Sequence, residues 1–195
     1  MTTARRSLLP LLSLVLAACA PTQPAVHPES TGRPSEAPSS HHPPSAHVSA
    51  AADTDPIERA LDEVAAIHGA PGPWAVAGYR MSEHALAKLA LPRGSFDLQV
   101  VHWTPKEIRY SCIADGAAAH SGASLGKLNL SLVDTTAENV LTVYRDKKSG
   151  KSIALRPTAS FRERYANTPR EKARALGREV LELPPEQVFE EIPVK

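Results

Sequence analysis

The pattern of apolar and polar positions separates residues 54–195, which have the periodicity of a folded domain, from the residues before them. Apolar side chains recur every three or four positions over residues 54–68 and again over residues 73–90. This spacing predicts two amphipathic helices. Asp55 followed by Pro56 is typical of a helix start. The Gly- and Pro-containing turn at residues 69–72 ends the first helix.

Shorter alternating runs in the middle of this domain predict strands, and further helical signals follow them. The predicted strands are residues 96–103, 107–111, 128–133, 140–145 and 152–156, with a hairpin turn at 147–150. An Ala-rich segment over residues 113–122 predicts a short helix. Thr168 and Pro169, with Glu171 in position for a capping box, predict a third long helix that ends near Leu181. Residues 184–192 are predicted to form a terminal turn or short helix.

This order of elements, helices first, strands in the middle and helices at the end, predicts the α+β class rather than a regular βαβ winding. About 140 residues are enough for one hydrophobic core, so we expect a single domain. The chain has 22 Lys and Arg against 21 Asp and Glu, a net charge of +1. This balance gives no reason to expect nucleic-acid binding. A homodimer or a partner protein remains open.

The first 18 residues have the pattern of an export signal that ends at a lipidation site. Arg5 and Arg6 precede an apolar run over residues 8–18, which is shorter than the roughly 20 residues that span a bilayer. Leu-Ala-Ala-Cys at 16–19 resembles the lipobox of bacterial lipoproteins. We therefore expect a lipidated Cys19 and an anchor in the bacterial cell envelope, on the periplasmic side of the outer membrane. An ordinary signal peptide is the alternative, and both the general and the twin-arginine export routes stay open.

Residues 19–53 have the composition of a disordered linker. From residue 20 onward they contain no Leu, Ile, Met, Phe, Tyr or Trp, and Pro, Ser and Ala dominate. Such a segment has no apolar surface to offset the entropy of ordering. At about 3.1 Å per residue when extended, it would reach roughly 100 Å. Its histidines are weak metal-binding candidates or polar filler: His27, His41, His42 and His47.

Two residues at predicted element boundaries carry the candidate chemistry. His68 ends the first predicted helix, and Cys112 lies where the predicted strand 107–111 gives way to a helix. A thiol and an imidazole that lie together act as a pair of metal ligands or as a nucleophile and its base. A small buried cysteine and a helix-capping histidine are the structural alternative.

Four neighbouring residues extend this candidate site. Asp115 is the nearest acidic candidate ligand, or equally a charge at a helix start. His120 lies eight residues after Cys112, about 12 Å along a continuous helix, which is too far to bind the same ion. Gly72 precedes the second helix, whose first amides are suited to an anion. Lys127 is a second candidate for anion binding, or a surface residue.

Four segments in register resemble the FmdE domain of formylmethanofuran dehydrogenase, over roughly residues 57–192. They are His68-Gly69, Gly78-Tyr79-Arg80, Cys112-Ile-Ala-Asp-Gly116 and the Gly122–Leu130 segment that includes Gly126, Lys127 and Asn129. The resemblance implies an α+β fold with a mixed sheet packed against helices. It also implies an association with a molybdenum or tungsten enzyme, which archaeal members of the family accompany.

The chain departs from this family at two candidate ligands. The family's first motif usually reads His-Gly-His, followed by a Cys-Pro-Gly variant, whereas Ala70 replaces the second His and Gly72 stands at the Cys position. His68 and Cys112 remain as the matched pair, with Asp115 beside the latter. A zinc site normally has three or four protein ligands. A divalent metal such as zinc would therefore need water or a further ligand here.

Two hypotheses follow from these observations. The first is an exported, membrane-anchored metal-binding or redox-accessory module that uses His68 and Cys112. The second is a degenerate, non-catalytic domain that binds a ligand or a partner on a lipid tether. A stand-alone enzyme is not expected, because the metal–pterin group and the companion proteins of the formylmethanofuran reaction would have to come from elsewhere.

Overall fold

The computed structural model describes residues 55–193, and the predicted signal, Cys19 and the linker lie outside them. The helices are α1 (Pro56–His68), α2 (Pro73–Leu89), α3 (Ile108–Ser121), α4 (Ala159–Arg164), α5 (Ala173–Glu182) and α6 (Pro185–Val188). The strands are β1 (Leu98–Thr104), β2 (Leu130–Asp134), β3 (Leu141–Asp146), β4 (Ser152–Pro157) and β5 (Phe189–Ile192). Within residues 55–193, no helix has the length and apolar character to cross a membrane.

The strands form one mixed sheet in the order β2-β1-β3-β4-β5. β1 and β2 run parallel and are joined through α3, whereas the pairs β1–β3, β3–β4 and β4–β5 are antiparallel. Alternate residues of β1 are buried, so one face of this central strand packs against the helices. The predicted α+β class, with a mixed sheet against helices, is confirmed.

Helices α2 and α3 approach so closely that their backbones touch. A Cβ atom at Gly78 would lie 2.0 Å from the carbonyl oxygen of Ile113, and one at Gly116 would lie 1.7 Å from that of Ala75. Each helix therefore has a glycine at the crossing point, where no side chain fits. This contact fixes the start of α2 relative to the second turn of α3, which is where the candidate site lies.

The predictions for α1 and α2 are confirmed, as is the hairpin between β3 and β4. The carboxylate of Asp55 accepts a hydrogen bond from the backbone N–H of Ile57 at 3.0 Å, so it caps α1 as its position indicates. Gly69, with φ +83°, ends the helix directly after His68.

The predicted strand over residues 107–111 is wrong, because α3 begins at Ile108. Ile108 and Tyr110 alternate with polar residues, and four such residues do not distinguish a strand from a first helical turn. The side chain of Ile108 is 82% exposed while Tyr110 packs edge-on against Trp74. Cys112 consequently lies in the second turn of α3 and not at a junction between a strand and a helix.

The C-terminal predictions are wrong in detail. The predicted capping box at Thr168 does not form: the Thr168 hydroxyl donates to the carbonyl of Tyr165, and a 3-10 turn at Arg170–Lys172 precedes α5. The short helix α4 is additional, and the segment predicted as a terminal turn contains both α6 and β5. Strand β5 lacks a period-2 apolar pattern because its two glutamates are exposed at the sheet edge.

Candidate functional site

Cys112, His68 and Asp115 form a continuous hydrogen-bonded array. The Sγ atom of Cys112 lies 3.2 Å from Nε2 of His68, and Nδ1 of the same ring lies 2.8 Å from Oδ2 of Asp115. Cys112 is 8% exposed, whereas about half of the Asp115 side chain is accessible. The array therefore runs from a nearly buried sulfur to a carboxylate at the surface.

The local structure of α1 and α3 explains how these residues meet. His68 is the last residue of α1, so its ring extends beyond the helix end. Cys112 and Asp115 are three residues apart on α3 and therefore share one helix face. The imidazole lies between them and contacts one residue with each nitrogen. This bridging geometry needs the helix end and the helix face to be adjacent, and the 44 residues between His68 and Cys112 hide it from the sequence.

Hydrogen bonding raises the pKa of His68 to about 10, chiefly through Asp115 and then through Cys112. At neutral pH the ring is therefore an imidazolium in which both nitrogens carry a hydrogen. Nδ1–H donates to the carboxylate of Asp115, and Nε2–H donates to the sulfur of Cys112. Asp115 thus fixes the orientation of the ring that faces the sulfur.

The array borders a cleft of about 600 Å³ between the starts of α2, α3 and α5. Its walls combine apolar surface with a few polar groups, and they contain no Asp or Glu. The lining residues are His68, Gly69, Ala70, Gly72, Pro73, Trp74, Ala75, Ile108, Arg109, Cys112, Tyr165, Ala166, Asn167, Thr168, Arg170 and Ala173. A concave site of this size and composition suits a small molecule.

The structure brings most of the predicted site residues together, but not all of them. Gly72 is the N-cap of α2 and lines the cleft, as expected for a residue near a ligand. Lys127 does not line it: its ammonium donates to the carbonyl of Gly122 and lies 5.1 Å from the ring centre of Phe96. His120 points elsewhere, with Nδ1 3.2 Å from the hydroxyl of Ser82.

Two cleft residues were missed by the sequence analysis. Arg109 is in the first turn of α3, inside the segment predicted as a strand, and Arg170 is in the 3-10 turn before α5. Neither belongs to a motif, and both are exposed. Only the assembly of the cleft from distant segments shows that they face the same space.

The donor atoms at this site suit a metal ion, although they are few. Within residues 55–193, no group of three His, Cys, Asp or Glu side chains converges on one point. A thiolate and an imidazole are donors that zinc prefers, and a carboxylate behind the imidazole is the usual orienting partner. Two ligands of one tetrahedral zinc are roughly 3.5 Å apart, close to the observed 3.2 Å between Sγ and Nε2. The pair fits an ion that takes its other ligands from the cleft.

Fold and site together define an α+β domain with a thiol–imidazole–carboxylate array at an open cleft. The chain belongs to the FmdE family, described as "FmdE, Molybdenum formylmethanofuran dehydrogenase operon", whose model matches residues 67–190. That range contains the whole array and more than half of the chain. The family suggests a metal-associated or accessory module. A comparison with curated proteins gives no match.

Proposed function

We propose that this domain binds one divalent metal ion, such as zinc, through Sγ of Cys112 and Nε2 of His68, and that it serves as an accessory module. The observation that carries the proposal is the array itself: two suitable donors lie 3.2 Å apart, and a carboxylate orients the imidazole from behind. Membership in a family associated with a molybdenum enzyme operon supports it. Asp115, expected from the sequence as a ligand, is instead proposed as the positioning residue for His68.

The cleft gives such an ion an accessible side. With only two protein ligands, the remaining coordination positions face a space of about 600 Å³ and are filled by water or by a small molecule. A metal ion in this setting supplies a Lewis-acid position. The chain's own residues hold the ion, orient the ligating ring and shape the cleft. This division of roles fits a module that binds and presents a ligand.

A cobalt titration of the full chain tests the proposal. Co²⁺ bound by a thiolate gives a charge-transfer band that histidines alone do not produce, so the His-rich linker does not contribute to it. We expect a near-stoichiometric band in the wild type and in Cys19→Ser. Cys112→Ser is expected to abolish the band, and His68→Ala to weaken binding at least about tenfold.

His84→Ala is the matched control for the histidine variant, because His84 lies on α2 beside Glu191 and away from the cleft. It is expected to leave the cobalt affinity unchanged. A wild-type protein that gives no band at any cobalt concentration contradicts the metal site. The second hypothesis, a metal-free domain that binds a ligand or a partner, then takes its place, and Ala70 and Gly72 at the family's other ligand positions favour it.

We further propose that the protein is exported and anchored by a lipid on Cys19, in the bacterial cell envelope on the periplasmic side of the outer membrane. The support is the lipobox-like Leu-Ala-Ala-Cys at 16–19 after a short apolar run. Two or three acyl chains anchor a protein stably. Cys19→Ser is expected to move the protein from the membrane fraction to the soluble fraction, and an unchanged distribution contradicts the anchor.

A further inference from the structure

The cleft beside the Cys112–His68 pair has an unbalanced charge. Arg109 and Arg170 line it, and no carboxylate does. Within the described residues 55–193, neither guanidinium makes an ion pair. Arg109 packs over the ring of Tyr110, with its central carbon 5.6 Å from the ring centre, and this contact leaves its N–H groups free for another partner.

Arginines close to the cleft but outside it are already engaged. Arg162 donates to the carbonyl of Ala137, and Arg164 pairs with Glu179 at 2.6 Å. Two unpaired arginines in one concave site therefore stand out from their surroundings. A guanidinium presents several donors in a plane that matches the oxygens of a carboxylate or a phosphate.

The rest of the cleft wall is mostly apolar. The indole N–H of Trp74 donates to the carbonyl of Tyr165 at 3.0 Å, so the ring offers the cleft its carbon surface. Ile108 is 82% exposed at the edge of the same cleft. A ligand that fits both parts has an anionic group and an apolar body, and a volume of about 600 Å³ is the size of a small organic molecule.

We propose that this cleft binds a small organic anion, a carboxylate or a phosphate monoester with an apolar body, whose charged group pairs with Arg109 and Arg170. The apolar body lies against Trp74 and Ile108, and the molecule reaches the side of the cleft where Cys112 is located. This site goes beyond the proposed metal function and does not depend on a bound metal. It replaces Lys127 with two arginines as the cationic partners of the anion.

The reaction of Cys112 with two alkylating reagents tests the charge of the cleft. Iodoacetate is anionic and iodoacetamide is neutral, and both transfer a carbon to the sulfur with release of iodide. The ratio of their rates reports the local charge, since the nucleophilicity of the thiol affects both. In metal-stripped full chain carrying Cys19→Ser, we expect Arg109→Gln with Arg170→Gln to lower the iodoacetate-to-iodoacetamide ratio roughly fivefold.

Arg145→Gln is the matched control, because Arg145 is an exposed arginine of β3 outside the cleft. It is expected to leave the ratio unchanged. An unchanged ratio in the double arginine variant overturns the proposal. A Cys112 that reacts with neither reagent also overturns it, because a cleft that admits the ligand admits reagents of this size.

Protection of Cys112 from iodoacetamide distinguishes the two anionic groups. Benzoate carries a carboxylate on an aromatic body, phenyl phosphate carries a phosphate monoester, and benzyl alcohol is the neutral control. Slower alkylation with either anion, lost in the double arginine variant, supports the site and identifies its preferred group. Protection by neither anion, or equal protection by benzyl alcohol, overturns it.

The cobalt titration keeps this proposal separate from the metal site. The arginine variants are expected to retain the thiolate-to-cobalt band, which also shows that Cys112 and His68 are still correctly placed. Loss of anion selectivity with a normal band contradicts nothing in the metal proposal. Absence of the band with intact anion selectivity contradicts the metal site alone.

Discussion

Arg170 and Arg174 are four residues apart at the start of α5, yet their surroundings differ completely. Arg174 donates to Glu58 at 2.5 Å and to Asp62 at 2.8 Å, both on α1. Arg178, one turn later, pairs with Asp55 of the same region. Arg170 faces the cleft, where no acidic side chain lines the wall. The α1–α5 face therefore neutralises its arginines within the protein, whereas the cleft leaves its arginines available.

This difference has a physical consequence for ligand binding. Exposed ion pairs such as those on the α1–α5 face contribute little to stability and have no free charge to offer. Two unpaired guanidinium groups at a concave, partly apolar surface create a positive potential that attracts anions. The residue type is the same in both regions, so the placement of acids on α1, and not the number of arginines, determines which surface is a site.

The largest expected effect comes from separating the helices that build the cleft. Gly116→Ala places a Cβ 1.7 Å from the carbonyl oxygen of Ala75, so α2 and α3 must move apart. Overpacking against backbone atoms is expected to cost about 3 kcal/mol or more of unfolding free energy. Urea unfolding measures this loss, and the cobalt band of Cys112 is expected to weaken with it.

Gly126→Ala is the control for this glycine variant. A Cβ at Gly126 has no heavy atom within 4 Å, so the substitution is expected to be neutral. Equal stability of the two variants would contradict the close contact between α2 and α3 and, with it, the geometry of the cleft.

A smaller effect is expected at His102, which holds the start of α3 against the sheet. Its Nε2–H donates to the carbonyl of Tyr110 at 3.0 Å, and Nδ1 accepts from the hydroxyl of Thr142 at 2.9 Å. Burial lowers the pKa of His102 to about 4, so the ring is neutral. His102→Leu leaves two buried polar groups without partners and is expected to cost about 2–3 kcal/mol at pH 7.

The pH dependence of His102 follows from the same pKa. The unfolded histidine binds a proton near its ordinary pKa of 6.5, whereas the folded one does so only near 4. Its contribution to stability is therefore present above pH 6.5 and is lost as the pH falls toward 4. Urea unfolding across this window is expected to show a shrinking difference between wild type and His102→Leu. A difference that stays constant would contradict a neutral buried ring.

The sequence was sufficient for the elements with local signals and insufficient for those that depend on distant contacts. Asp55 and Pro56 specify the start of α1, and the apolar spacing specifies α2, because caps and periodicity are local. Helix α3 was partly misassigned since the Ile108–Tyr110 alternation fits two structures. Its true start is favoured by the contact of Tyr110 with Trp74, a residue from a distant part of the chain.

The candidate site shows the same limit. The family motifs identified His68 and Cys112 as a pair, but only the folded chain shows that Asp115 holds the far nitrogen of the ring and does not face the sulfur. Lys127 lies in a motif yet away from the cleft, whereas Arg109 and Arg170 lie in no motif and line it. Motifs report which residues a family shares, and they do not report which surfaces converge.

A moderate effect is expected at Asp115, on the cleft side of the comparison. The carboxylate is the main reason that the pKa of His68 is about 10, so Asp115→Asn is expected to bring it back toward 6.5. NMR titration of the metal-free ring measures this change, with His68→Ala to assign the signal. Because the raised pKa stabilises the folded state below pH 6.5 and this stabilisation is lost as the pH rises through 10, the variant is expected to be less stable by about 1 kcal/mol at low pH, allowing for solvent screening. A His68 pKa that stays near 10 in Asp115→Asn would contradict the array.

The smallest effects are expected on the α1–α5 face, and they complete the comparison. Arg174→Gln removes exposed ion pairs with Glu58 and Asp62, and the urea midpoint is expected to remain unchanged. The iodoacetate-to-iodoacetamide ratio at Cys112 is also expected to stay at its wild-type value, because this guanidinium is already neutralised. Asn167→Asp makes the opposite change, since it places a carboxylate at the cleft wall that Arg170 also lines, and it is expected to lower the ratio without affecting stability. If Arg174→Gln lowered the ratio as much as Asn167→Asp, the positive potential at Cys112 would belong to the whole surface, and the distinction between paired and available arginines would fail.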